Sequence, residues 1–250
     1  MGKTYEALKR AEAENRQKHL EVVRPAKIRL SKKGKAARYL KLDHLRPYEH
    51  LKTSLMSRYP NRSTKTILLN GTKHGGGCST TALNLAATLA QDPDLKVILV
   101  EVNLRTPSLK KTLKIEDAPD LTELVDNMDQ MSSRIEKIGS ENLYVIACGG
   151  SSLLGPLGLF ESKQFDQFLQ TLRDRFDYVI LDAPPVPVFS EFRVLCKKVD
   201  GVVLVVQAEK TRRQVGLQAK REIEEAGGKL LGVFLNRRKY YIPSWIYKRL

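Results

Sequence analysis

The chain has 250 residues, 42% of them hydrophobic and 28% charged, and a net charge of +15 at pH 7. That balance fits a globular α/β protein with one sizeable domain plus extensions. With no run of 18 apolar residues, it excludes a transmembrane helix. Three unevenly spaced cysteines, Cys78, Cys148 and Cys196, argue against a disulfide framework and read as reduced thiols of a cytosolic protein.

The charge is concentrated at the ends. Residues 1–65 hold 18 Lys/Arg against 6 Asp/Glu, and the tail from Arg237 to Leu250 adds five basic residues and no acid. The stretch between is close to neutral. Residues 1–46 therefore read as a basic arm, helical over 4–20 and linker-like over 24–41, where Pro25 and Gly34 interrupt a segment poor in large apolar residues. Such an arm suits an anionic partner, whether nucleic acid, inner-leaflet lipid or an acidic protein tail, or serves as a solvated solubilising extension. The opening Met1-Gly-Lys-Thr-Tyr-Glu lacks the apolar core of a signal peptide. Glu6 stands where a myristoylation start wants Ser or Thr.

From Pro47 the spacing of Tyr48, Leu51, Leu55 and Met56 predicts a helix, which Pro60-Asn61-Arg62-Ser63 ends. Apolar, β-branched runs then recur at Ile67–Leu69, Val97–Val102, Leu143–Ala147, Tyr178–Leu181, Val202–Val206 and Leu230–Leu235. They are continuous rather than alternating, so their strands are expected to be covered on both faces. Helical segments lie between them. One carries Phe165, Phe168, Leu169, Leu172 and Phe176 on a single stripe, and another spans about 212–226 and stops at Gly227-Gly228. Alternating βα units predict an α/β fold with a mostly parallel sheet and helices on both faces. Residues 47–236 form the domain, and 237–250 an aromatic-basic tail.

The stretch Asn70-Gly-Thr-Lys-His-Gly-Gly-Gly-Cys-Ser-Thr-Thr81 sits between the first strand and an apolar-periodic helix. Strand, glycine loop, helix is the layout of a P-loop, whose backbone N–H groups and helix N-terminus face phosphate. Gly75, Gly76, Gly77, Cys78, Ser79 and Thr80 are the candidate phosphate-binding residues. Ser79 is placed to ligate Mg²⁺ and Thr80 to reach the α-phosphate. Three strand ends add polar groups: Glu101 and Asn103 after the second run, Asp182 after the run that begins at Tyr178, and Asn236 after the last. Asp182 stands where a Walker B acid holds the magnesium water, and the Asn236 amide could read an adenine edge or cap its strand.

Together these four stretches resemble the MinD/ParA class of P-loop ATPases, and within it the bacterial tyrosine kinases (BY-kinases, CpsD/CapB type) of capsule and exopolysaccharide systems. Further residues carry the likeness: Asn84-Leu-Ala86, Leu104-Arg105-Thr-Pro107, Asp182-Ala-Pro-Pro-Val186 and Asp200-Gly-Val-Val-Leu-Val-Val206. The opening Tyr5-Glu-Ala-Leu-Lys-Arg-Ala11 and the closing Asn236-Arg-Arg-Lys-Tyr-Tyr-Ile-Pro243 resemble the subgroup of exosortase-linked clusters. The resemblance implies a P-loop NTPase-like fold, ATP with Mg²⁺, Asp182 and Ser79 at the metal, and a partner among the membrane chain-length determinants (polysaccharide co-polymerases). It also implies a peripheral position on the inner membrane from the cytoplasm, homo-oligomers, and a C-terminal tyrosine cluster as phosphoacceptor. Here that cluster is Tyr240, Tyr241 and Tyr247, beside Trp245. Nucleic acid ranks last as a partner, as in a ParA-like positioning ATPase.

The departures bear on activity. Cys78 replaces the P-loop lysine, and Glu101-Val-Asn103 replaces an Asp-x-Asp. Glu101 and Asn103 are therefore the weaker catalytic candidates beside Asp182. An ammonium near a phosphate oxygen contributes roughly 4 kcal/mol at 4 Å with an effective dielectric near 20. Confined to the transition state, its loss slows transfer by about 10³. Lys73 lies where the class carries a second, signature lysine and could restore part of the charge. At the positions of the family's ring-forming Glu-x-x-Arg-x-x-Arg stand Arg46, Glu49 and Lys52, with the first two charges reversed.

The arm yields one expectation. Each Lys or Arg near an anionic leaflet adds about 1 kcal/mol, so the full chain should co-sediment with anionic liposomes and a chain lacking residues 1–45 should not. Equal retention of both would remove the membrane as the arm's target.

Overall fold

The computed structural model describes residues 46–58, 65–138, 142–149, 155–186 and 189–237. The basic arm through residue 45, the expected helix stop at Pro60–Ser63 and the tail from residue 238, with Tyr240, Tyr241, Trp245 and Tyr247, lie outside them. In chain order come α1 (Arg46–Arg58), β1 (Lys65–Gly71), α2 (Cys78–Leu89), β2 (Val97–Glu101), α3 (Leu109–Leu113) and α4 (Leu121–Asp126). A 3₁₀ turn (Met128–Gln130) leads to α5 (Met131–Arg134), β3 (Glu136–Lys137), β4 (Leu143–Ile146), α6 (Gly155–Glu161) and α7 (Lys163–Arg175). The chain continues through β5 (Tyr178–Asp182), α8 (Glu191–Lys197), β6 (Gly201–Gln207), α9 (Arg213–Glu225) and β7 (Leu230–Asn236).

The strands form one sheet in the order β3-β4-β2-β5-β1-β6-β7. All its pairings are parallel except that of β3 with β4, which runs antiparallel. The parallel strands are tied by helical crossovers, which lay helices on both faces. On one face Phe160, Phe165, Phe168, Leu172, Leu195 and Ile223 pack over Ile98, Val179 and Leu204. On the other Tyr48, Leu55, Leu85 and Leu109 pack over Ile67, Leu99, Ile180 and Val203.

Local chemistry explains the main elements. The predicted stripe of α7 is buried at Phe165, Phe168, Leu169 and Leu172, and Ser162 caps the helix by accepting from Phe165 N at 3.1 Å. In α1, Tyr48 and Leu55 face inward. The Tyr48 ring stacks on Phe234 of β7 with centroids 5.2 Å apart, and its hydroxyl accepts from Asn84 Nδ2 at 3.3 Å. Helix α1 is thereby joined to both α2 and the sheet edge. Of the residues at the ring-motif positions, Glu49 is exposed and Lys52 lies 3.9 Å from Asp92 of its own chain; the Arg46 side chain is outside the described residues.

The expectation that every strand is covered on both faces fails at β7. Strands β2 and β5 are buried throughout, but Val233 and Leu235 of β7 are 54% and 53% exposed. The cause is position: β7 is an edge strand, and Ala219 and Ile223 are the buried side chains of α9, too few to cover Val233 and Leu235. Strand β3 and the short helices α3 to α5 carry no periodic pattern long enough to read in the sequence.

Phe168 is fully buried and stacks on Phe165 at 5.9 Å. Phe168→Ala should lower stability by about 3–5 kcal/mol in urea unfolding. A change below about 1 kcal/mol would mean that this layer is loosely packed.

Candidate functional site

Strand β1 lies between β5 and β6 in the interior of the sheet, so its carboxyl end opens where crossovers leave in opposite directions, the usual ligand position in such sheets. Its end is fastened to both neighbours. Val186 N donates to Gly71 O at 3.0 Å, Thr72 N to Val205 O at 3.2 Å, and Asn70 Nδ2 to Pro184 O at 2.7 Å. The glycine loop then turns directly into α2, which begins at Cys78. Cys78, Ser79 and Thr80 therefore form the first helical turn.

Gly77 caps α2 in the left-handed region, φ 89°, and no side chain caps the helix. The first N–H groups of α2 have no intrahelical acceptor, and no acid occupies its first turn. They face the opening as an anion site. A Cβ on Gly77 would stand 2.1 Å from Asn236 Nδ2, so only glycine fits both the backbone angle and the neighbour. Asn236 is buried; its Nδ2 donates to Gly76 O at 3.0 Å and lies 3.4 Å from Gly77 O, and its Oδ1 accepts from Arg237 N at 2.8 Å. The amide clamps the loop from below, and these bonds occupy both ends of the group that the sequence offered to an adenine edge.

Asp182 ends β5, in register with Leu69 of β1 and Glu101 of β2. It is fully buried, and neither carboxylate oxygen receives a well-formed hydrogen bond. The Ser79 hydroxyl and Cys78 thiol lie beside it and favour its charged form. Burial outweighs them, reinforced by the Glu101 charge, and pushes the carboxyl from its ordinary 3.8 up to about 7. Cys78 is partly exposed as a residue, but its sulfur turns inward and donates to Leu69 O at 3.3 Å. Burial and the neighbouring Asp182 push its thiol well above the ordinary range. Position 78 thus presents a neutral thiol in the resting site.

Glu101 departs most from its sequence reading. Its Oε1 accepts from Ser108 N and, at 2.9 Å, from Leu109 N, while Oε2 accepts from Cys148 N at 3.1 Å. The carboxylate fastens the start of α3 and the end of β4 to β2, with its oxygens taken up by backbone. Burial still raises its pKa, with those three bonds opposing. Asn103 is buried, and its Oδ1 accepts from Thr106 Oγ1 at 3.2 Å. Lys73 is half-buried, its carbonyl accepting from Gly76 N at 3.3 Å and its stem running beside Gly76.

The structure therefore gathers Gly75 to Thr80, Lys73, Asp182 and Asn236 around one opening, and turns Glu101 away to a neighbouring junction. Two pairs escaped the sequence reading. Arg105 donates to buried Glu191, with Nε to Oε1 at 2.8 Å, and lies over the Phe189 ring at 4.8 Å. Arg237 stands next to Gly77, and its place directly after Asn236 was the available signal. For a divalent ion, Ser79 and the unpartnered oxygens of Asp182 are hard donors of the kind Mg²⁺ takes. Among the described residues no group of three or more His, Cys, Asp or Glu could hold a metal. Such an ion would complete its shell with water and phosphate oxygen.

The raised Asp182 carboxyl has a stability signature. Its folded pKa exceeds the unfolded one, so the folded state binds the extra proton between about pH 4 and 7. Stability falls as pH rises through that window, on the order of 4 kcal/mol in total. Ligand-free Asp182→Asn should be more stable than the parent at pH 8, with the gain vanishing toward pH 4. A gain independent of pH would refute the burial account.

The AAA domain family model (AAA_31) matches residues 64–223. The chain is similar to tyrosine-protein kinase YwqD of Bacillus subtilis (strain 168), 28% identical over 192 residues, covering 77% of this chain and 80% of that one. Among solved structures it is similar to the chimerical protein CapA2B2, 28% identical with a TM-score of 0.72, covering 81% of this chain and 87% of the other. The septum site-determining protein MinD of Pyrococcus horikoshii OT3, solved with Mg-ADP, shares the fold at 19% identity and a TM-score of 0.59 over 74% of this chain and 76% of its own. The match to the family model, the parallel sheet around a glycine loop and these relatives agree: the chain belongs to the AAA-domain P-loop family, in the group of the bacterial tyrosine kinases.

Proposed function

We propose that this protein is a nucleotide-binding regulator or scaffold of capsule or exopolysaccharide synthesis and export, with phosphoryl transfer much weakened. One observation carries the reading: the loop, Asp182 and Ser79 keep the form of a phosphate and Mg²⁺ site, while the two charges that would drive transfer are absent from it. Cys78 offers a neutral thiol where an ammonium is needed. Glu101 offers a carboxylate already bound by three backbone N–H groups. Asn103 hydrogen-bonds Thr106 and is a poor base. When bound, Mg²⁺ supplies charge neutralisation to the phosphates; Ser79 and Asp182 are the residues that hold it.

The setting follows the relatives. The partner is a membrane chain-length determinant, the protein sits peripherally on the cytoplasmic face of the inner membrane, and the arm over residues 1–46 adds attraction to anionic lipid. Among the described residues no helix is long and apolar enough to cross a membrane. The domain spans 47–236, and Tyr240, Tyr241 and Tyr247 of the tail over 237–250 are the positions a kinase of this group would phosphorylate. The protein works as a homo-oligomer.

A second reading has Lys73, beside Gly76, serving as the missing cation of an active autokinase. It requires Lys73→Ala to abolish turnover and Cys78→Ser to leave it intact. The proposal instead expects ADP and ATP to bind in the presence of Mg²⁺, with tyrosine phosphorylation from radiolabelled ATP at background. Robust autophosphorylation that disappears in Asp182→Ala would overturn it. Absence of binding at millimolar nucleotide would leave a scaffold alone.

A further inference from the structure

Arg237 is the first residue beyond β7, and its backbone is held in the left-handed region at φ 55°. A side chain with a Cβ gains nothing intrinsic there. In that conformation Arg237 N donates to Asn236 Oδ1, while Asn236 Nδ2 donates to Gly76 O. A single amide therefore fixes both the phosphate loop and the residue next to it. The consequence lies at Gly77, where a Cβ would be 3.9 Å from Arg237 Nε. The guanidinium is thus carried to the cap of α2, a twelve-residue helix whose first N–H groups have no side-chain cap and no acid in the first turn.

Two positive features are thereby placed side by side. The helix N-terminus bears partial positive charge and the guanidinium a full one, and they repel unless an anion sits between them. Among the described residues no carboxylate pairs with Arg237, which is exposed. The one acid at the loop, Asp182, is buried on the far side beside Cys78 and Ser79. The position lost from this loop is a lysine, and a guanidinium meets phosphate oxygens through two donors at once. Lys73 is less well placed: its stem runs beside Gly76 and the contacts that involve it are those of its stem and backbone, whereas the Asn236 clamp fixes the root of Arg237.

We infer that Arg237 replaces the missing lysine of the loop as the cation that meets the phosphoanhydride of a bound nucleotide. This inference rests on the reading of the loop as a nucleotide site. It makes Arg237 a binding residue, reaching the phosphates from the β7 side of the loop instead of from within it.

The test uses the full chain and calorimetric titration with ADP and Mg²⁺, and in parallel with inorganic pyrophosphate. Arg237→Ala should weaken ADP by about ten- to a hundredfold, the loss of one charge-assisted contact, and Arg237→Lys should recover most of it. The nucleotide-free melting temperature of Arg237→Ala should equal or exceed the parent's, since a repulsion is removed; a structural role would lower it. Restoring the loop cation with Cys78→Lys should make Arg237→Ala nearly silent. Unchanged ADP affinity in Arg237→Ala, or an undiminished effect in the Cys78→Lys background, overturns the inference. If the parent binds pyrophosphate through Arg237 but not ADP, the nucleotide reading fails and the phosphoanhydride contact stands. If it binds neither, both fall.

Discussion

A carboxylate buried without a cation is the constraint around which this site is arranged. Asp182 ends a fully buried strand, and β1 and β2 on either side leave it no exposure. In a P-loop with its lysine, an ammonium nearby would share that burden; here the adjacent side chain is a thiol. The carboxyl answers by holding its proton to about pH 7, and the thiol, facing a carboxylate in a dry site, holds its own far higher. The thiol is thus neutral at rest, and the carboxyl stands between its charged and neutral forms near pH 7. Such a site gains most from a ligand that brings its own cation, because a divalent ion supplies what the protein lacks. In this sense the ion and the nucleotide are coupled more tightly here than in a loop that carries a permanent charge.

The second consequence runs along the sheet edge. Glu101 is in register with Asp182, and two free carboxylates on adjacent strands would repel in a low-dielectric interior. The structure separates them by giving Glu101 three backbone donors from 108, 109 and 148. The added methylene relative to aspartate supplies the reach for this turn. The junction of β2, α3 and β4 is then organised by an acid whose charge is directed away from the opening.

The long elements were legible because their causes are local. The α7 stripe repeats within thirteen residues, and the buried strands are runs of β-branched and aliphatic residues. The glycine loop declares itself by composition and by its place between a strand and a helix. What could not be read is what depends on distance along the chain. Helix α4 has six residues and stands on the Asp120 cap, and α3 has five and stands on Glu101. Continuous apolarity suggested that β7 was covered on both faces, because sequence does not reveal which strand is last in the sheet. Asn236 meets Gly76 across 160 residues, so its clamp had no sequence signature, and the neighbouring arginine had only its place directly after Asn236.

That clamp also constrains how the protein can change over time. The Asn236 amide fills the space a side chain at Gly77 would need, and in return satisfies two carbonyls of the loop. The two positions behave as one unit: a first substitution at either is harmful, and no single step leads from one compatible pair to another. Cys78, one residue on, is held less exclusively: its thiol donates to Leu69 O and lies beside Asp182, contacts that other side chains could forgo. The architecture is therefore permissive at the position that sets chemistry and rigid at the one that sets shape. A lineage built on it can lose, and in principle regain, its loop cation without ever losing the pocket.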